Sequence, residues 1–302
     1  MKVSVVITTH NRPTQVVRAL QSVLNQSKLP DEIIIVDDAS EIPVSNLVQT
    51  SNFNVQIRIE RYETSQGANK ARNWGAEISS GDILMFLDDD DSWEPLKIES
   101  QLQIFSKDPK VELVYTGRLI VKEDDPDKIL YKIPSNHSGN LYPGILYKNL
   151  IGVTSSVALT KNLFTKAGGF DTAIPARQDY DLWIRCSKLT LVEHDNSYNL
   201  RYTIANQASS QTSGKYKNHE WAVQYLLNKY SQDIQEQGYI KSRNIRASLF
   251  FAVSKSVIRS NYFRALFWSL KSFIEYPNLK SLIIFLPDWI INLTRNRISR
   301  NV

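Results

Sequence analysis

Four consecutive carboxylates, Asp88-Asp89-Asp90-Asp91, follow the apolar run Asp82 to Leu87 in a chain of 302 residues. Adjacent ionised acids repel one another, so such a run is relieved by taking up protons, by solvation or by a bound cation. Magnesium takes oxygen ligands, commonly one or two carboxylates completed by substrate phosphates, and manganese accepts the same donors. A metal-bridged diphosphate is the ligand that this chemistry suggests. Capping of a helix beginning near Trp93 and Pro95 accounts for Asp91 or Ser92, but not for four acids together. A second acidic pair, Asp37-Asp38, follows the apolar run ending at Val36, where Asp-rich turns also arise for purely local reasons. Asp179 and Asp181 open a helical pattern two positions apart, so they point away from each other. Asp181 reads as a first-turn residue favoured by the helix dipole, and Trp183 and Ile184 read as core.

The elements that must position these acids alternate. The β-branched run Val3 to Thr9 is followed by a helix on Val16, Val17, Leu20, Val23 and Leu24, then by the strand Glu32 to Val36, the rhythm of a β-α-β unit. The pattern continues with a strand over Val55 to Tyr62, a helix from about Ala68 to Ser79, the strand Asp82 to Leu87, a helix over Leu96 to Phe105 and the strand Val111 to Tyr115. It predicts an α/β fold with a mainly parallel sheet flanked by helices, and no repeat of fixed period interrupts it. In such sheets ligands bind beyond the carboxyl ends of the strands, where both acidic groups fall. After Gly117 a polar stretch with Pro126, Pro134 and Pro143 predicts loops and hairpins over the sheet. A second ordered block has a strand near Ser155 to Leu159, a short helix through Phe164, the turn Gly168-Gly169 and a helix from Asp179 to Ser187. From His219 onward the pattern is helical, over Glu220 to Asp233, Ile245 to Ser260 and Tyr262 to Glu275.

In that order and spacing, four segments resemble the family 2 inverting glycosyltransferases of the GT-A fold. They are Ser4-Val5-Val6-Ile7-Thr8-Thr9-His10-Asn11-Arg12-Pro13, Val36-Asp37-Asp38-Ala39-Ser40, Gly67-Ala68-Asn69-Lys70-Ala71-Arg72-Asn73 and Phe86-Leu87-Asp88-Asp89-Asp90-Asp91. The likeness extends through Gly168-Gly169-Phe170-Asp171 and Gln178-Asp179-Tyr180-Asp181-Leu182-Trp183-Ile184-Arg185, over roughly the first 210 residues. The resemblance implies that Thr8, in the loop after the first strand, lies near the nucleotide, that Asp38 contacts the base, and that His10 stands where the family often places an aromatic against it. Arg72 is placed to balance charge at the diphosphate, with Asp88 and Asp89 also on the donor side. Asp88 and Asp90 match the acids of the D-x-D motif and would hold Mn or Mg, Asp90 the more directly. Asp179 falls where the family has its catalytic base, with Gln178 before it where many members carry Glu. Thr203, after Arg201-Tyr202, stands where the family often has a histidine, which leaves a third protein ligand to the metal unsupported. The Gln-x-x-Arg-Trp signature of processive polysaccharide synthases is absent, so one sugar per encounter is expected.

The expected organisation is a catalytic domain over 1–215, with a nucleotide-sugar half over 1–117 and an acceptor half over 118–215, followed by a helical C-terminal extension over 216–302. The substrates expected are a nucleoside diphosphate-sugar and a saccharide or lipid-linked acceptor. A sugar-nucleotide nucleotidyltransferase is the alternative enzyme, but it normally carries a glycine-rich phosphate loop after the first strand, and Thr8 to Pro13 contains no glycine. A non-catalytic nucleotide-sugar-binding protein on this scaffold would not need Asp88, Asp90 and Asp179 together.

Charge divides the chain. From Lys241 onward eleven Lys or Arg face only Glu275 and Asp288, a surplus of nine, whereas the rest holds 25 basic against 29 acidic residues. An acidic body with a basic tail argues against a uniformly basic nucleic-acid binder. In the tail Ile245, Leu249, Phe250, Val253, Val257 and Ile258 form one apolar face, and Phe263, Leu266, Phe267, Trp268, Leu270 and Phe273 a second. Leu282 to Leu286 with Trp289 form a third, and Arg295, Arg297 and Arg300 follow. Leu282 to Leu286 ends at Pro287 and Asp288, far short of the roughly 20 residues that span a bilayer. Contact with an anionic membrane surface is expected, and a packed layer or a homodimer interface is the alternative. With no room for a cleaved signal before Val3, and a single cysteine, Cys186, compatible with a reducing compartment, the expected location is cytoplasmic, peripheral at the inner face of the cell membrane.

Overall fold

The computed structural model describes residues 1–48, 53–204, 216–258, 260–278 and 281. They fall into two compact units, one made of the described residues within Met1–Tyr142, Leu150–Thr172 and Gln178–Asn206, the other of those within Pro143–Asn149, Ala173–Arg177 and Gln207–Val302.

The first unit is α/β. Its seven-stranded sheet is built from β1 (Val3–Thr9), β2 (Glu32–Asp37), β3 (Gln56–Arg61), β4 (Ile83–Asp88), β6 (Val111–Tyr115), β9 (Val157–Thr160) and β10 (Leu191–His194) in the order β10-β6-β9-β4-β1-β2-β3. Strands β4, β1, β2 and β3 run parallel, as do β6 and β10, while β9 is antiparallel to both neighbours. Helices α1 (Pro13–Leu24), α2 (Ala68–Ile78), α3 (Lys97–Phe105), α4 (Lys161–Lys166) and α5 (Gln178–Ser187) complete the unit. Strand β1 is buried throughout, as a central strand covered on both faces must be. Val5 and Ile7 pack with Val16, Leu20 and Val23, which recur at helical spacing on α1. On the face lined by Ile34 and Val36, α2 packs through Ala71, and it approaches β1 so closely that a Cβ on Gly75 would stand 2.4 Å from Val6 Cγ1.

A second sheet, of four strands, was not anticipated as such. It joins β5 (Ser92–Trp93), β7 (Arg118–Lys122), β8 (Tyr131–Ile133) and β11 (Leu200–Ile204), with β11 parallel to β7. Ser92 and Trp93 pair with Arg201 and Leu200 rather than opening a helix. Helix α3 therefore begins only at Lys97, and its cap position, Leu96, makes no side-chain cap bond. None of the four acids caps it.

Lys97 is fully buried, its Nζ 2.7 Å from Gln101 Oε1 and 4.4 Å from the centre of the Trp93 ring. Desolvation pulls its ammonium down from the ordinary 10.5 to about 7, against the opposing charge of Asp195. Between those values the unfolded chain holds more protons than the folded one, so stability rises with pH across that window and is lost as pH falls through it. Lys97→Met is expected to remove this dependence. Its melting-temperature advantage over the parent should be larger near about pH 7 than near about pH 9.5, and an advantage that does not change with pH would contradict a neutralised lysine.

The second unit is helical in its described elements, α6 (Tyr216–Lys229), α7 (Ser231–Gln235), α8 (Tyr239–Val257) and α9 (Tyr262–Glu275). Ile245, Leu249, Val253 and Val257 are buried, and the Ser272 hydroxyl donates to the Ala247 carbonyl across the α8 and α9 pair. Trp268, expected to face a membrane, is instead only 4% exposed and donates Nε1 to Glu220 of α6. Phe263, Phe267, Leu270 and Ile274 of α9 are exposed, as is the Tyr262 ring. Leu282 to Leu286, Trp289, Arg295, Arg297 and Arg300 lie outside the described residues. Among the described residues no helix is long and apolar enough to cross a membrane.

Candidate active site

Parallel pairing brings the ends of β2, β1 and β4 side by side, with Thr8 of β1 opposite both Val36 and Asp88. The site grows from these ends. Strand β1 continues through Thr9, so Thr8 belongs to the strand rather than to the loop after it. Successive strand side chains point to opposite faces, and the hydroxyl that reaches the acidic run is that of Thr9, which donates to Asp89 Oδ2 at 2.7 Å.

The four acids divide by parity. Asp89 and Asp91 are buried, whereas the side chains of Asp88 and Asp90 are 28% and 22% exposed. Asp89 is held by Thr9 and by Arg12, whose Nη1 lies 2.8 Å from Asp89 Oδ1 and 2.9 Å from Asp90 Oδ2. Asp88 pairs with Arg72 Nη2. Arg18 donates to the Asp90 carbonyl and, at 3.5 Å, reaches the Thr203 hydroxyl. Asp91 accepts from the Thr203 backbone N–H and from the Ser155 hydroxyl. Burial raises the carboxyls of Asp89, Asp90 and Asp91 together, and the neighbouring acids add to it, with Asp90 reaching about 6. Arg12 opposes that rise at Asp89 and Asp90, and its own guanidinium is held more firmly charged despite burial. The run is an over-charged oxygen site, discharged in part by arginines.

Asp38 is tied into the fold. Its carboxylate accepts from the Ser65 hydroxyl and from the backbone N–H groups of Gln66 and Gly67 at 2.6–2.9 Å, which fixes the loop into α2. Gly67, at φ 89°, takes a conformation that suits glycine. Asp37 is structural as well, since burial is outweighed by hydrogen bonds from the Ser40 and Val44 N–H groups and from Arg61, which hold its carboxyl low. The exposed His10 ring lies with Nδ1 2.6 Å from the Asp38 carbonyl oxygen, so Nδ1–H donates there.

Arg72 emerges from α2, 5% exposed, with its guanidinium 5.3 Å above the Phe170 ring. Phe170 follows the turn Gly168-Gly169, both at positive φ. Asn73 grips the Phe170 backbone through its side-chain oxygen and nitrogen, each at 2.8 Å, and Asn69 donates to the Asp171 carbonyl. The Gly168 to Asp171 segment thus braces the helix face that carries Arg72.

Asp179 stands in the first turn of α5, its Oδ1 2.7 Å from the Tyr180 backbone N–H. The charges of Asp179 and Asp91 both act on Arg118 and on Tyr202. Burial lowers Arg118 and raises the Tyr202 hydroxyl, the acids holding the guanidinium up and pushing the phenol further. The buried Asp91 and the half-buried Tyr202, Arg118 and Asp179 therefore couple the acidic run electrostatically to the α5 carboxylate. Asp181 is apart from it, fully buried and paired with Arg185 at 2.6 Å. Trp183 and Ile184 are core residues. Sequence reasoning singled out Thr8, His10, Asp38, Arg72, Asp88, Asp89, Asp90 and Asp179, but it missed Thr9, Arg12, Arg18, Arg118 and Tyr202. Signals existed for Thr9, to which the strand pattern already ran, and for Arg12 and Tyr202, which stand in or beside the segments that carry the resemblance.

Among the described residues no three His, Cys, Asp or Glu side chains gather as a metal cage. At the β4 end Asp88 and Asp90 are the two partly exposed carboxylates of the run, and that donor set fits a hard cation whose remaining ligands come from phosphate and water.

A family model described as "Glycosyl transferase family 2" matches residues 4–166. The chain is 28% identical over 298 residues to an uncharacterised glycosyltransferase of Haemophilus influenzae, covering 97% of this chain and 98% of that one. It is 29% identical over 248 residues to an uncharacterised glycosyltransferase of Rickettsia conorii, covering 79% of this chain and 39% of the relative. Among solved structures, S. aureus TarS 1-349 in complex with UDP-GlcNAc superposes with a TM-score of 0.61 at 14% identity, over 94% of this chain and 91% of that one. Mannosyltransferase PcManGT from Pyrobaculum calidifontis, in complex with GDP-Man and Mn2+, does so with a TM-score of 0.56 at 16% identity, over 97% and 80%.

Proposed function

The chain belongs to glycosyl transferase family 2 and has the GT-A fold, and from that premise we propose that it is an inverting transferase moving one sugar per encounter from a nucleoside diphosphate-sugar to an acceptor hydroxyl. One observation carries the reading: the two reachable acids of the β4 end, Asp88 and Asp90, flank a run whose buried Asp91 acts, together with Asp179, on the same half-buried Arg118 and Tyr202. Donor chemistry and acceptor chemistry then share one electrostatic site. In the proposed organisation, residues 1–117 supply the donor half and 118–215 the acceptor half, with 216–302 a helical extension.

His10 and the loop fixed by Asp38 receive the base, beside Thr8. Asp90 and Asp88 would hold Mn or Mg, which when bound supplies the positive charge that a leaving diphosphate needs. Arg72, braced on Phe170, faces the diphosphate, and Asp89 keeps Arg12 in place. Asp179 takes the proton of the acceptor hydroxyl as its oxygen attacks the anomeric carbon from the face opposite the leaving group. No protein acid is required at the leaving group. The expected test result is slow, metal-dependent release of nucleoside diphosphate from one member of a panel of nucleotide-sugars, with no acceptor added. Hydrolysis of none, with either metal, counts against the proposal.

The acceptor is proposed to be lipid-linked, with the tail from Lys241 holding the enzyme peripherally at the inner face of an anionic membrane. The basic surplus of that segment supports this, as do Phe263, Phe267, Leu270 and Ile274 on the open face of α9. Each basic residue near such a surface adds on the order of 1 kcal/mol, a contribution that salt screens, while apolar insertion resists salt. The full chain is expected to co-sediment more strongly with anionic liposomes than with neutral ones. Phe263→Ser with Phe267→Ser should abolish the part that survives high salt. Equal sedimentation with both liposome types, or none at low salt, would refute the membrane role.

A further inference from the structure

The structure places a cation of its own on the acid that the proposed metal needs. Asp89 and Asp90 share the same guanidinium nitrogen of Arg12, but their settings differ. Asp89 is buried and also bound by Thr9, whereas Asp90 is partly open and pairs its Oδ2 with Arg12. The backbone under Arg12 is anchored. The Asn11 N–H donates to Ser40 Oγ, Asn11 Oδ1 accepts from the Glu41 N–H, and the Arg12 carbonyl accepts from Val16 in the first turn of α1. An anchored stem carrying a partly exposed guanidinium can change one partner without unfolding anything.

Resting on the reading of Asp88 and Asp90 as the metal-holding acids, we propose that Arg12 is an exchangeable counter-cation. It neutralises Asp90 while the donor is absent, stays on Asp89 when Asp90 passes to the metal, and then faces the diphosphate that arrives with it. A divalent cation by itself meets Arg12 on Asp90 and Arg72 on Asp88. A diphosphate by itself meets the acidic run. Arriving together, the two positive charges of the metal go to the carboxylates and the displaced guanidinium finds an anion, so each ligand strengthens the other, reciprocally. Arg12 is in this sense a positioning residue, acting through Asp90 and not on the reacting atoms.

The test is Mn2+ binding to the full chain, followed by electron paramagnetic resonance, without nucleotide and with UDP, GDP, ADP or CDP in turn. It compares the unaltered protein with Arg12→Gln and Arg12→Lys. Arg12→Gln is expected to bind Mn2+ alone about tenfold more tightly, and the gain in Mn2+ affinity on adding nucleoside diphosphate is expected to shrink by a similar factor. Arg12→Lys, which keeps the charge without the fork, should retain most of the coupling. Weaker Mn2+ binding by both variants would give Arg12 a merely structural role and overturn the proposal. Mn2+ held by the unaltered chain as tightly alone as with nucleotide would overturn it too, while leaving the metal site standing. No Mn2+ binding under any of these conditions would overturn the reading of Asp88 and Asp90, and the proposal with it.

Discussion

Asp179→Asn is expected to slow sugar transfer by about two to four orders of magnitude, the usual worth of a general base, while nucleotide-sugar affinity stays within about twofold. The substitution keeps the shape of the side chain and an Oδ1 that can still accept from the Tyr180 N–H. What it removes is the capacity to take a proton. Arg118 and Tyr202 feel the charge of Asp91 as well as that of Asp179, so they keep an acid nearby and the fold is expected to hold. Single-turnover transfer at saturating donor, alongside calorimetry of donor binding, separates the two effects. Near-normal transfer would mean that another group takes the proton. A matched loss of donor affinity would mean that Asp179 belongs to the donor side.

Asp90→Ala is expected to weaken metal-assisted donor binding by at least about a hundredfold, above what is commonly lost when a partner behind a metal ligand is removed. The same change should leave thermal stability unaltered or raise it. Asp90 is crowded by Asp88 and Asp89 and partly desolvated, which raises its carboxyl to about 6, so the folded chain pays to keep it ionised. Arg12 keeps Asp89 as a partner after the substitution. Loss of binding with a gain in stability is the pattern of a residue retained for function. Donor titrations with and without Mn2+, beside thermal melts, read both quantities. Unchanged metal-assisted affinity would remove Asp90 from the site, and a large loss of stability would make it structural.

How far the sequence spoke depended on the range of the interactions. The alternation of β1, α1, β2, α2 and β4 was legible because each element declares itself locally, through β-branched runs and through Val16, Leu20 and Val23 at helical spacing. The second sheet was not, because its pairings are short and remote: Trp93 meets Leu200. That pairing also explains why Ser92 and Trp93 form a strand where a capped helix was expected. The acids Asp88, Asp90 and Asp179 stood out by type and by the motifs around them. Arg18 and Arg118 carry no such local mark, and Arg12, though inside a quoted segment, like Tyr202 acquires its role only where the chain brings it against acids far away in sequence. Asp38 shows the converse, since a residue singled out for a ligand has its carboxylate engaged by Ser65, Gln66 and Gly67. What it offers a base is therefore a fixed loop and the neighbouring His10.

A crystal structure of the chain with Mn2+ and a nucleoside diphosphate, with the metal located by its anomalous scattering, tests the central claim most directly. The predicted result is a Mn2+ ion bound to Asp90, with Asp88 beside it, the diphosphate between metal and Arg72, and the base against His10 and the Asp38 loop. Mn2+ bound elsewhere, or a nucleotide seated away from the ends of β1, β2 and β4 while Arg12 and Arg72 keep their present carboxylates, would contradict it.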